Sequence, residues 1–100
     1  MSQQPEYTEW QQLMALVERA AKAGQHEMLL TMLMTADERD ALIARVNIFS
    51  ELMKGELSQR QISQMLGVGI ATITRGSNEL KSCSEEDKKV LDSLIKQPEA

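Results

Sequence analysis

Residues 57 to 81 carry the side chains best suited to recognising another molecule. Ser58 and Gln61 form a capping-box pattern that opens a two-turn helix, with Ile62, Met65 and Leu66 turned inward. Gly67-Val68-Gly69 then breaks that helix, and a second begins at Ile70, which is helix-turn-helix spacing. On a 100° wheel, Ile73 and Leu80 share one side of the second helix, while Ala71, Thr74, Arg75 and Asn78 lie on or near the opposite side. Small, hydroxyl, guanidinium and amide groups on one face suit base edges and phosphates. Between residues 54 and 83, Lys54, Arg60, Arg75 and Lys81 face only Glu56 and Glu79, a net charge of +2, whereas 1–53 carry −4 and 84–100 carry −2. An acidic protein binds nucleic acid when its basic groups share a surface, because local phosphate neutralisation sets the affinity. Two short helices joined by Gly-x-Gly also occur as plain core hairpins, but the inward residues and the positive window favour the reading function. Gly67-x-Gly69 is not a dinucleotide loop, since no strand precedes it and no third glycine follows.

A second constellation surrounds Arg45. Ala41, Leu42, Val46, Phe49, Leu52 and Met53 form an apolar stripe on one predicted helix, and Arg45 falls inside it. A guanidinium there is either held by a buried ion pair or a snorkelling stem, or lines a pocket for a small planar or anionic ligand. Thr72, Gly76 and Glu79 form a separate flank of the second helix, between its core face and its outer face, where a ligand wedged behind that helix would touch it.

The elements that position these residues are helical throughout. Thr8 with Gln11 is a capping box for a first helix from about 9 to 23, with Trp10, Leu13, Met14, Val17 and Ala21 at helical spacing and Gly24 at its end. His26 to Met34 is apolar on nearly every side, as in a short helix buried all round. A monomer of 100 residues has little core in which to hide it. Thr35 with Glu38 caps a third, longest helix that runs to Lys54 before Gly55. Ser84 caps a last one, with Glu85, Glu86 and Asp87 in its first turn, Val90, Leu91, Leu94 and Ile95 as its apolar face, and Pro98 near its end.

Composition narrows the function. Apolar residues make up 42% of the chain, almost all Leu, Met, Ile and Ala, with only Tyr7, Trp10 and Phe49 aromatic, which favours helix over sheet. One cysteine, Cys83, and one histidine, His26, leave no disulfide and no ligand set for a structural metal, so no metal cofactor is expected. His26 has no placed acid or nucleophile partner, so catalysis is not expected either. The N-terminus has no basic-then-apolar leader and the Met28–Met34 stretch is too short to cross a bilayer, so a cytoplasmic protein without membrane contact is expected.

Three runs, Leu33-Met34-Thr35-Ala36-Asp37-Glu38-Arg39, Gly55-Glu56-Leu57-Ser58-Gln59-Arg60 and above all Gly69-Ile70-Ala71-Thr72-Ile73-Thr74-Arg75-Gly76-Ser77-Asn78, resemble the bacterial tryptophan repressor family. The similarity covers about residues 8 to 97 and is strongest from 32 to 81. It implies an all-α, six-helix subunit in an intertwined homodimer, with residues 8–55 and 84–97 in the dimer core and 57–82 as the helix-turn-helix reading head. It further implies L-tryptophan as corepressor, with Arg45 and Arg75 flanking the indole, and Arg75 and Thr35 holding the carboxylate. The backbone carbonyls of Met32 and Met34 would receive the ammonium from the other chain, and Thr72 and Gly76 would close the pocket, beside Glu79. A guanidinium both stacks on an aromatic plane and pairs with a carboxylate. By the same resemblance, Gln59, Arg60, Gly69, Ile70, Ala71, Thr72, Thr74, Arg75, Asn78 and Lys81 would meet double-stranded operator DNA, a palindrome controlling tryptophan biosynthesis or uptake.

The chain departs from the family's best-known members at four places. Asn47 and Ser63 stand where basic residues face phosphate, which implies a shallower salt dependence. Val68 replaces a frequent alanine in the turn, and Glu79 replaces a small hydroxyl residue. The Glu79 carboxylate either strengthens the hold on the ligand ammonium or repels DNA phosphates, a choice the sequence leaves open. An effector-independent DNA-binding head and a purely structural helical adaptor are the competing readings.

Overall fold

Helices α1 (Trp10–Lys22), α2 (His26–Leu33), α3 (Ala36–Lys54), α4 (Gln59–Leu66), α5 (Ile70–Ser82) and α6 (Glu85–Ile95) account for all regular structure in the computed structural model, which describes residues 3–96. The all-α, six-helix expectation holds; the stop expected near Pro98 lies outside the described residues.

Helix starts follow the capping residues, with one shift. The Thr35 hydroxyl accepts the Glu38 N–H at 3.1 Å and the Glu38 carboxylate accepts the Thr35 N–H at 2.8 Å. Ser58 and Gln61 exchange the same pair of bonds at 3.1 and 2.8 Å, and the Ser84 hydroxyl accepts the Asp87 N–H at 3.0 Å. At α1 the Thr8–Gln11 box is not formed; Glu9 is the cap. The longer Gln12 side chain accepts both the Thr8 and Glu9 N–H groups, at 2.6 and 2.9 Å, and so starts the helix one residue later.

Residues 1–39 form one compact unit and residues 40–100 a second. In the first, α1 packs on α2, and Arg39 donates to the carbonyls of Thr31 and Met34 at 3.0 and 2.8 Å. A cation thereby satisfies the exposed carbonyls at the C-terminus of α2. The expected all-round burial of the helix at 26–34 is not met within one chain, whose small first unit has no layer to cover it: neither α1 nor α2 contributes a buried residue, and Trp10, Met14, Met28, Leu30, Met32 and Leu33 are exposed.

The second unit is built on Ile48 of α3, Ile62 of α4 and Ile73 of α5, all buried, with Phe49, Leu52, Leu57, Leu66 and Val68 packed around them. Ile48 lies outside the stripe expected for α3, which the structure resolves into two faces. Ala41, Ala44, Arg45, Ile48 and Leu52 follow one another at helical spacing toward the core and cavity of this unit. Leu42 and Val46 lie round the helix from them and stay exposed. In α4, Met65 is exposed rather than turned inward. A two-turn helix makes its contact through the i, i+4 pair Ile62 and Leu66, and Met65 falls beyond that edge. Half of the α6 apolar face, Leu91 and Ile95, is partly buried, while Val90 and Leu94 are exposed.

Candidate functional site

The α4–turn–α5 segment has the geometry expected from its glycines. Gly67 sits at φ +68°, ψ 30°, a left-handed conformation that costs a side-chain-bearing residue free energy, and its N–H closes on the Ser63 carbonyl at 2.9 Å. The Val68 N–H reaches the same carbonyl at 3.2 Å, and the Ser63 hydroxyl donates to the Val68 carbonyl. Gly69 is the N-cap of α5. Because the turn is held at both edges, Ile62 and Ile73 meet in the core and the opposite side of α5 is left outward.

That outward side carries the expected groups. Ile70, Ala71, Thr74, Arg75, Asn78 and Lys81 are all exposed, as is Arg60 on α4. The Thr74 hydroxyl donates to the Gln59 side-chain carbonyl at 3.2 Å, linking the outer face of α5 to the start of α4. Fifteen residues separate the two, so the bond has no signature along the chain.

Behind α5 lies a cavity of about 220 Å³, lined by Ala41, Ala44, Arg45 and Ile48 of α3, Val68 of the turn, and Thr72 and Gly76 of α5. This is space for roughly seven waters' share of liquid volume, the scale of a small organic molecule. Gly76 is needed for the helices to close on it. A Cβ at that position would stand 2.9 Å from Ile48 Cγ2 and 3.8 Å from Phe49 Cε1, so only glycine lets α5 lie this near α3.

Arg45 combines both readings of it. Its guanidinium is paired with the Glu79 carboxylate and lies over the Phe49 ring, 5.6 Å from the centroid, while its side chain lines the cavity. Arg75 reaches the Thr72 hydroxyl at 3.4 Å, so the second guanidinium stands beside a cavity-lining residue. Thr72 and Gly76 line the space; Arg75 and Glu79 are connected to it through Thr72 and Arg45. Met32, Met34 and Thr35 belong to the first unit and are not among the lining residues. There the Met34 carbonyl accepts from Arg39 and the Thr35 hydroxyl caps α3, with Met32 exposed. Ala41, Ala44, Ile48 and Val68 were not anticipated as lining residues. Their signal was the small and branched residues at 41, 44 and 48, spaced i, i+3, i+7 on one side of α3.

The model for the Trp repressor protein family matches residues 8–95. The chain belongs to the Trp repressor family. Among its relatives, a Trp operon repressor homolog of Vibrio atlanticus (strain LGP32) is 70% identical over 98 residues, spanning 97% of this chain and all of the relative. The homolog of Vibrio vulnificus (strain YJ016) is 72% identical over 95% of this chain and 93% of its own. That of Vibrio cholerae serotype O1 is 69% identical over 98% of this chain and 95% of its own. Membership in the Trp repressor family makes the chain a transcriptional repressor, and the helix-turn-helix described above is the part of the fold that fits such a role. Among the described residues no helix is long and apolar enough to cross a membrane.

Proposed function

We propose that the chain is an L-tryptophan-dependent repressor that binds palindromic operator DNA of tryptophan biosynthesis genes as a homodimer in the cytoplasm. The observation that carries this reading is the cavity placed directly behind the reading helix, lined by Arg45, Thr72 and Gly76. Its lining fits the ligand: Ala41, Ala44, Ile48 and Val68 offer apolar walls for an indole, Arg45 a guanidinium to stack on it, and Arg75 a partner for the carboxylate. The Thr35 hydroxyl joins Arg75 on the carboxylate, and the carbonyls of Met32 and Met34 complete the site from the second chain, where the C-terminal end of α2 suits an ammonium group. In this reading residues 8–55 and 84–97 of two chains share one core and residues 57–82 form the head. The exposed apolar side chains of α2 support that sharing.

In the head, Gln59, Arg60, Gly69, Ile70, Ala71, Thr72, Thr74, Arg75, Asn78 and Lys81 form the DNA contact. Arg60, Arg75 and Lys81 take phosphates, and Asn78, Thr74 and Ala71 meet base edges. With the cavity filled, α5 favours one orientation among those it samples, and operator binding tightens ligand binding by the same factor. Calorimetric titration of L-tryptophan into the purified dimer tests the reading, with saturation expected at one ligand per chain. Arg75→Ala is expected to weaken both tryptophan and operator binding by roughly tenfold to a hundredfold, as for loss of a charge-assisted hydrogen bond. Unchanged tryptophan binding in that variant removes the pocket assignment, and gel shifts of equal strength with and without tryptophan favour an effector-independent DNA-binding protein.

A further inference from the structure

We propose that Glu79 sets the charge of the ligand this chain accepts: by pairing with Arg45 it makes the α3–α5 cavity favour a zwitterion and disfavour an anion that lacks a cationic group. The proposal rests on the reading that this cavity holds L-tryptophan. Of the residues that line the cavity only Arg45 is charged, so unpaired it would attract any small carboxylate. It is not unpaired, because the Glu79 carboxylate is bonded to its guanidinium. Thr72, Gly76 and Glu79 recur at i, i+4 and i+7, so Glu79 stands one turn along α5 from the lining residue Gly76 and two from Thr72, and it reaches the cavity's lining through Arg45.

An arriving carboxylate therefore meets an occupied guanidinium and a like charge. Even on Arg75, four residues before Glu79 on α5, it lies near that negative charge, which costs free energy that a neutral side chain at 79 would not impose. An ammonium group on the same ligand removes that cost by taking Glu79 as its partner. The ligand carboxylate is then left to Arg75, which no carboxylate pairs with among the described residues. The side chains of Arg45 and Glu79 are 40% and 60% exposed, so solvent and salt weaken the effect without abolishing it.

Calorimetry on the full-length chain with three probes tests this: L-tryptophan, indole-3-propionate, which keeps the carboxylate and lacks the amine, and tryptamine, which keeps the amine and lacks the carboxylate. The wild type is expected to prefer L-tryptophan to indole-3-propionate, and Glu79→Gln to shrink that preference by about tenfold while weakening tryptamine. Raising salt from about 50 to about 500 mM should narrow the same preference in the unmutated chain, which needs no variant to fold. A ratio of the two acids that stays within about twofold in Glu79→Gln, a neutral-for-charged exchange, overturns the proposal while leaving the tryptophan site standing. Failure of L-tryptophan to bind the wild type overturns the site and this proposal together.

Discussion

Helices α1 and α2 are at least as rich in Leu and Met as the rest of the chain, yet neither buries a single residue, whereas α4 buries Ile62 and α5 buries Ile73 with no surface left. The two units thus use apolar side chains differently. In residues 40–100 three isoleucines from three helices close a small core that holds the cavity and the outward face of α5 in fixed relation. In residues 1–39 the apolar groups form a surface: Tyr7, Trp10, Leu13, Leu16 and Leu33 line a groove of about 420 Å³ between α1 and α2. In the function proposed above, a second copy of the chain covers this exposed apolar area. One unit buries its apolar side chains around a core, the other leaves them on the surface.

Leu33→Glu breaks the comparison most severely. If α2 is covered by a second chain, a carboxylate there is expected to convert the dimer to monomer at micromolar concentration, read by sedimentation; an unchanged dimer would mean that α2 faces water as a surface in its own right. Gly76→Ala strikes the other unit. Its added methyl lies 2.9 Å from Ile48 Cγ2, so overpacking is expected to cost about 1–3 kcal/mol in urea unfolding and to reduce tryptophan binding, since the same residue lines the cavity. Ser58→Ala sharpens the contrast at smaller scale. Losing the bond to the Gln61 N–H is expected to cost about 1 kcal/mol, and amide exchange should quicken in α4 and leave α1 unaffected.

Much of this was legible along the chain because it is local. Ser58 with Gln61, Thr35 with Glu38 and Ser84 with Asp87 need only residues three apart, and Gly67 needs only its own backbone to turn left-handed. Even so, the Thr8–Gln11 spacing that reads as a capping box is not the one formed: Glu9 caps α1, because the Gln12 side chain reaches two N–H groups. The apolar run of α2 predicts a helix buried all round, yet Met28, Leu30, Met32 and Leu33 are exposed, and on α3 a wheel does not say which neighbour claims which side. The wheel therefore leaves Ile48, the buried residue of α3, outside the expected stripe and places the exposed Met65 inside its own.

Sequence alone determined the six helices, the break at Gly67, the side of α5 that carries Thr74, Arg75 and Asn78, and through the Gly69–Asn78 run the family. These depend on hydrogen bonds and periodicities within a few residues, and on a motif read in order. Tertiary structure alone decided that Ala41, Ala44, Ile48 and Val68 wall a cavity, that Gly76 is the close approach between α3 and α5, and that Arg45 is held by Glu79. Those facts join residues distant in the chain, and such contacts exist only once the three isoleucines have brought their helices together.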